Sequence, residues 1–320
     1  MIDPKLRVLQ MVAHHGTVTA AAAALHYTPS AVSHQLRQLA AELGVELVTQ
    51  SGRGVRLTAA AATLLRHADV LYAQAERARA ELAAAADEPG GSFTLCGFST
   101  AATHLLPPAA ATLREHHPQL AVRVIEAEPA RCFDLLLAGD ADLALVIATA
   151  DTPPTSDARF DQQPLLDDPL DLVVPSHHQL ATRRTVTLAD AADEPWILGR
   201  PGGTYHHLVL TACMAAGFTP NIEHYADEWD TGTALVAHGF GIILVPRLAR
   251  LPEDWPVARV RLRGEPAPTR RILAATRRGS REHPVVTTAL ASITTTATAL
   301  HPAPRPSEEP GEQAEQGSST

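Results

Sequence analysis

Residues 28–37 read TPSAVSHQLR, and the spacing of four polar side chains within them decides how the first sixty residues fold. Ser30, Ser33, His34 and Arg37 recur at i, i+3, i+4 and i+7, so a helix gathers them on one face. Val32, Leu36, Leu39 and Leu43 follow the same period on another face. One face suits a core and the other a polar partner. Thr28 is a fit N-cap, and Pro29 takes the first helical position, where its missing N–H costs nothing. Gly44 ends the helix.

Upstream, Leu6, Leu9 and Val12 mark an amphipathic helix stopped near Gly16. An alanine-rich helix follows to Leu25, with Thr19 expected as its N-cap. Only His26 and Tyr27 then separate two helices, which makes a helix-turn-helix arrangement. Small side chains let these helices cross closely, so the later one projects its polar face. Short hydroxyls near free N–H groups suit phosphate oxygens and base edges. Thr28, Pro29, Ser30, Ser33, His34, Gln35 and Arg37 are therefore the candidate DNA-facing residues. Downstream, VELVTQ, the turn SGRG and VRLT predict a β-hairpin, with Arg53 at its tip and Arg56 beside it as candidate backbone contacts.

The formal net charge of −9 argues against a nucleic-acid coat over the whole protein. Within residues 1–60, Lys5, Arg7, Arg37, Arg53 and Arg56 stand against Asp3, Glu42 and Glu46, a local excess of two positive charges. Neutral donors and helix dipoles must then carry much of any DNA contact. Cys96, Cys132 and Cys213 are far apart and fit no zinc spacing, so buried reduced thiols are expected. The histidine pairs, among them His14-His15, point in different directions along a helix or strand, and no metal site is read from them. No cofactor and no catalytic set is expected. The N-terminus carries an acid and a proline rather than a secretory pattern, and no apolar run reaches bilayer length, so a cytoplasmic protein is expected.

Residues 59–88 read as one long helix capped by Thr58. Leu64, Ala68, Leu71, Ala75, Ala78 and Leu82 alternate steps of four and three, an a/d seam that predicts pairing with a second copy. After the linker DEPGG, strands and helices alternate, which predicts an α/β domain with a largely parallel sheet. Ligands in such sheets sit beyond the carboxyl ends of strands. Three segments have matching chemistry: Ser99-Thr100, the loop Arg200-Pro201-Gly202-Gly203-Thr204, and Asp230-Thr231. Each opens a helix, with free N–H groups suited to an anion. The tail HPAPRPSEEPGEQAEQGSST, residues 301–320, is expected to be disordered.

The stretch GTVTAAAAALHYTPSAVSHQLRQLAAELGVEL, followed by GRGVRLT, resembles the winged helix-turn-helix of the LysR-type transcriptional regulators. Such proteins usually carry a phenylalanine and an arginine where this chain has Val48 and Gln50, and often an arginine at His34. The missing cations imply weaker phosphate contact and a lower salt dependence. The three ligand segments resemble the effector domain of the same family, a two-lobed fold like type 2 periplasmic binding proteins. The resemblance implies a DNA-binding domain over 1–58, a dimerising linker helix over 59–88, and an effector domain over 92–300. Lobe I would take 92–165 and 268–300, and lobe II 166–267, with Ile147 near one crossover and in the cleft. It implies homodimers and homotetramers on palindromic promoter DNA. It also implies a small-molecule effector, for which the chemistry points to a carboxylate, and contact with RNA polymerase if the protein activates.

A different class is an enzyme or solute binder built on the two-lobed domain, with the N-terminal part an oligomerisation module. Ser99 and His104 invite the thought of a nucleophile and base. They lie more than one turn apart with no third group, and no GxSxG elbow occurs.

Overall fold

The computed structural model describes residues 2–52, 54–86, 90–149, 152–264 and 267–300. Arg53, residues 87–89 of the expected linker and the tail 301–320 lie outside the described residues.

The reading head begins with α1 (Pro4–His15), α2 (Val18–Ala24) and α3 (Pro29–Leu43). Asp3 caps α1, and Gly16 ends it in the left-handed region at φ 69°. The α2 cap is Thr17, not Thr19: its hydroxyl accepts from Ala20 N at 3.2 Å, so the helix starts one residue before the predicted cap. Thr28 caps α3 through Ala31 N at 3.2 Å, with Pro29 in its first turn. Val32, Leu36 and Leu39 are buried against Leu9, Val12, Ala21 and Ala22. The antiparallel wing β1 (Val48–Ser51) and β2 (Gly54–Leu57) follows. It is pinned to the α1–α2 corner by Val55 N donating to Gly16 O at 3.0 Å. A Cβ at position 54 would lie 2.9 Å from that same oxygen, so the close approach needs glycine.

The long helix α4 (Ala59–Ala84) ends at Ala84 rather than 88. Its seam is shared between two environments. Ala68 is fully buried and Leu64 packs on the reading head's own core, so these two are not free for a second chain. Leu71 and Leu82 are exposed, and Ala75 and Ala78 half-buried.

Then come β3 (Gly91–Gly97), α5 (Ser99–His104), α6 (Leu106–His116), β4 (Leu120–Glu126), α7 (Pro129–Ala138) and β5 (Leu143–Ile147). β6 (Phe160–Pro175) leads to β7 (Pro195–Leu198), α8 (Thr204–Ala215), β8 (Asn221–Tyr225), α9 (Trp229–Ala237), β9 (Ile243–Pro246) and β10 (Val257–Val260). The chain closes with β11 (Thr269–Arg277) and α10 (Pro284–Leu300). Strand order in the large sheet is β10-β6-β11-β5-β3-β4, with β9 also on β6. It is mixed, not largely parallel: β3 runs parallel to β4 and β5, whereas β11 and β6 run antiparallel to their neighbours. The sixteen residues of β6 serve both lobes. Residues 160–169 pair with β11, and 170–175 pair with β9 and β10. Pro164 sits at the register shift opposite Leu273, and Pro169 where the strand changes partners, the places where a missing N–H is tolerated.

Two contacts tie the reading head and α4 to lobe I. Arg277 donates to Glu76 of α4 at 3.0 Å, to Asp142 at 2.8 Å and to Ala141 O. Glu76 is buried and also pairs with Arg79 at 2.7 Å. Gly279, at φ +90°, lies so close to α4 that a Cβ there would collide with Ala73 O. On the other side α1 and α2 pack on α7. Arg131 of α7 donates to Ala24 O at 3.1 Å, and Arg7 of α1 donates to Leu137 O while lying 4.1 Å over the Tyr72 ring.

Removing one member of a buried ion pair leaves an uncompensated charge, which costs about 3–5 kcal/mol. Arg277→Met should lower stability by about that amount, read from denaturant melts. Adding Glu76→Gln should recover part of the loss, because the stranded carboxylate is then neutral.

Candidate nucleic-acid interface and effector cleft

On α3, Thr28, Pro29, Ser30, His34 and Arg37 are exposed, and Ser33 and Gln35 are half-buried. The Thr28 and Ser30 hydroxyls lie 3.0 Å apart, and Arg37 Nε donates to Ser33 O at 3.3 Å, so the guanidinium is held along the helix face. Ser30, Ser33 and Arg37 line a groove of about 810 Å³ whose other wall is the wing residues Val48, Thr49, Gln50 and Val55. Thr17 and Thr19, at the start of α2, complete it. Arg56 is exposed on β2. Hydroxyls and one cation therefore converge between a helix and a hairpin, a surface whose chemistry suits backbone oxygens and base edges.

The second concavity lies between the lobes and has a volume of about 980 Å³. Ser99, Thr100, Thr103 and His104 of α5 form one wall. Glu228, Trp229 and Asp230 at the start of α9, with Ala249 and Arg250, form the other. Burial, and then the nearby Arg250 charge, hold His104 below the ordinary histidine range, so its imidazole is neutral. Close by, burial and then the carboxylate of Asp227 push Glu128 above the usual carboxylate range, with Glu126 and Glu228 adding to the effect. Glu128 caps α7 in lobe I, and Asp227 and Glu228 belong to lobe II, so like charges face each other across the cleft.

The Thr100 hydroxyl on the cleft wall already accepts one hydrogen bond, which leaves only its O–H to donate to a ligand. It accepts from Arg270 at 2.5 Å, and Arg270 also pairs with Asp168 at 2.7 Å. Arg270 and Asp168 are buried, and the guanidinium lies 4.9 Å from the Phe98 ring centroid. Sequence reasoning missed this pair. Its signal was present as an acidic LLDDPLDL and a basic TRRILAATRR, two strand-like runs with charges where a core strand has none. Ile147 is buried in the lobe I core with Ile272 and Leu145 and does not line the cleft cavity. Thr231 is exposed outside it.

Arg200, Pro201 and Gly202 are exposed on the lobe II rim, with Gly203 capping α8 and Thr204 opening it. Arg200 turns to Asp227, its backbone N–H donating to that carboxylate at 2.9 Å and its side chain pairing with it.

A helix-turn-helix with a wing, a long helix and a two-lobed ligand-type domain define a DNA-binding regulator. A family model described as "Bacterial regulatory helix-turn-helix protein, lysR family" matches residues 4–62, and "LysR substrate binding domain" matches 86–298. The chain is 32% identical to a probable hydrogen peroxide-inducible genes activator of Mycobacterium avium, over 83% of this chain and 85% of that protein. It is 30% identical to the HTH-type transcriptional regulator AlsR of Bacillus subtilis, over 72% of this chain and 75% of the relative. Full-length OxyR from Pseudomonas aeruginosa shares the fold at TM-score 0.62 and 21% identity, covering 92% of this chain and 94% of that one. Full-length CbnR in complex with target DNA does so at TM-score 0.53 and 24% identity, covering 93% and 100%. The chain belongs to the LysR family of transcriptional regulators. It is a DNA-binding regulator with an effector-binding domain, not an enzyme.

Ser33→Ala, His34→Ala and Arg37→Ala should leave the fold intact, because these side chains lie off the buried face. Removing a hydrogen bond to a base edge should weaken operator binding by about 1–3 kcal/mol and relax preference at one base position. Gel shifts against operator and point-variant DNA check this, and unchanged shifts in all three variants would remove recognition from α3.

Proposed function

We propose that the protein reads palindromic promoter DNA as a dimer joined through α4, and that a small molecule closing the interlobe cleft changes transcription. The observation that carries this is the pairing of two separate concavities, a hydroxyl-and-arginine groove on the reading head and a polar cleft between the lobes. We assign residues 1–58 to DNA binding, 59–88 to the dimerising helix and 92–300 to the effector domain. Lobe I takes 92–165 and 268–300, and lobe II takes 166–267. Two dimers assemble as a tetramer that contacts two sites and bends the DNA between them, and effector closure alters the bend. If the protein activates, RNA polymerase is its further partner. The site of action is the cytoplasm; among the described residues no helix is long and apolar enough to cross a membrane.

The cleft chemistry selects the effector class. Ser99 and Arg250 offer donors to an anion, with the neutral His104 beside them. Glu228, Asp230 and the nearby Glu128 present acceptors, and the cation beside them, Arg200, is already paired with Asp227. A small acid that also carries an amine or hydroxyl satisfies both sides. Sensing peroxide through a thiolate fits the chain poorly. Cys96, Cys132 and Cys213 are all buried. Cys213 is pushed up to about 12 by burial, and Cys132 far above the ordinary range by its contact with Cys96 and by burial. Protonated, shielded thiols are poor nucleophiles.

In the dimer, Leu71 faces the partner helix from the exposed stripe it shares with Leu82. Leu71→Glu should give monomers by sedimentation and lose specific DNA binding, whereas an intact dimer would place the interface elsewhere. The cleft is tested by Arg250→Gln. A charged hydrogen bond is worth about 1.5–3 kcal/mol, so the variant should respond at roughly tenfold or higher effector concentration. Its DNA affinity without effector should stay normal. Footprint titration with the first ligand found by thermal-shift screening of amino and hydroxy acids reads both quantities. An unchanged response would place the effector outside this cleft.

A further inference from the structure

We propose that His14, His15 and Asp134 form a binding site for a divalent cation of the zinc class, which fastens the reading head to lobe I. The two histidines end α1, and Asp134 lies on α7 of the facing lobe, so no single domain contains the site. Adjacent residues on a helix diverge, and the sequence alone offers no shared ligand point. The packing of α1 on α7 supplies one by placing a carboxylate close to both rings.

Asp134 Oδ1 lies 2.9 Å from His15 Nε2 and 3.6 Å from His14 Nε2. The three ligand atoms lie within 4.8 Å of one another. A cation at zinc-ligand distances of about 2.0–2.1 Å would see the first pair at roughly 90° and the second at roughly 120°, bracketing a tetrahedral angle. The rings meet edge to face with centroids 5.0 Å apart, and their ligand nitrogens, within 4.8 Å of each other, must lie no more than about 4.2 Å apart to share an ion.

A second observation separates this from a plain ion pair. Asp134 is 8% exposed, yet its Oδ1 makes no hydrogen bond, and neither does the buried Nε2 of His15, despite their 2.9 Å separation. Two close, unbonded polar atoms are thus both available to a third partner. Buried polar atoms without partners are costly, and an ion there would satisfy both. The neighbouring cation Arg131 approaches the other carboxylate oxygen, Oδ2, at 3.7 Å, which leaves Oδ1 free. Arg159 also acts on His14, but its guanidinium is held by Asp157 at 2.7 Å. The free carbonyls at the end of α1 give the site negative potential, which favours a cation.

Two imidazoles and one carboxylate suit zinc-class ions rather than magnesium or calcium, which prefer oxygen ligands. Three protein ligands leave a fourth position for water, so the ion is exchangeable rather than a permanent structural element. Because the ligands come from two domains, the cation binds only the arrangement in which α1 rests on α7. It therefore shifts the population towards that arrangement.

The full-length protein, stripped with chelator, is titrated with Zn²⁺ by calorimetry and with Co²⁺ by visible absorption. The expected result is one ion per chain, with the d–d bands of a tetrahedral Co²⁺ site and a Zn²⁺-dependent rise in melting temperature. Asp134→Asn and the double variant His14→Gln/His15→Gln should each weaken binding about tenfold or more and abolish the rise. His177→Gln, at an exposed histidine elsewhere, should bind as wild type. The double variant changes half-buried side chains at 18% and 23% exposure, so it keeps the test open if Asp134→Asn fails to fold. No Zn²⁺ binding by wild type would overturn the proposal. So would equal affinity in the double variant, or loss of binding in His177→Gln alone.

Discussion

The guanidinium of Arg270 lies between Asp168 and Thr100, and the geometry of both lobes follows from where that buried pair is placed. Two charges taken out of water cost several kcal/mol each unless they meet with good geometry. Asp168 meets two donors of Arg270 and the backbone N–H of Leu248, and Arg270 reaches on to the end of the β3–α5 turn. The pairing is satisfied only when β6 lies on β11 in one register, with α5 above them. Three residues on, Asp171 holds Arg247 at 2.6 Å and Arg259 at 3.5 Å in the same way for lobe II. One strand thus carries the anchors of both lobes. The cleft opens where β6 passes from one sheet to the other. This arrangement explains why the cleft is polar but not simply cationic. The strongest cation near it, Arg270, is already committed to Asp168, and Arg200 is committed to Asp227. The exposed Arg250 remains on the wall beside α9, facing hydroxyls on α5 and acidic groups at the lip. The discriminating groups therefore stand on two helix starts, α5 and α9, and on the β9–β10 connection that carries Arg250.

The reading head is joined to this frame by packing as well as by chain connection. Its apolar core is continuous with that of α7, and the Glu76–Arg277 pair with the close approach at Gly279 fixes α4 against lobe I. A shift of lobe I would move α7 and α4 together, so the two contacts form a physical route from cleft to DNA face. Coupling along it requires that the effector bind two arrangements of these elements unequally.

Much of the reading head was legible because its information is local. The Thr28 cap, Pro29 in the first turn, the leucine period on α3 and the strand pairing of the wing each act within a few positions, and the structure shows them as the spacing predicts except at Leu43, which is exposed at the helix end. The start of α2 moved by two residues because Thr17 and Thr19 are both competent caps, and only the corner with Gly16 decides between them. The ligand segments of the second half were legible as helix openings. Whether each faced the cleft was not, since that depends on how distant strands stack. Ile147 went into the core, and the Thr100 hydroxyl went to an arginine 170 residues away.

The sequence by itself determined the reading helix, its cap and its polar stripe, and it determined that alternating strands and helices would follow. Tertiary structure decided the mixed sheet, the double duty of β6 and the burial of Asp168 with Arg270. It also turned Leu64 and Ala68 of the α4 stripe inward and brought Asp134 close to His14 and His15. The physical reason is range. Helix period and capping are set by neighbours a turn apart, whereas charge pairing and burial are set by residues that only the packed fold makes neighbours.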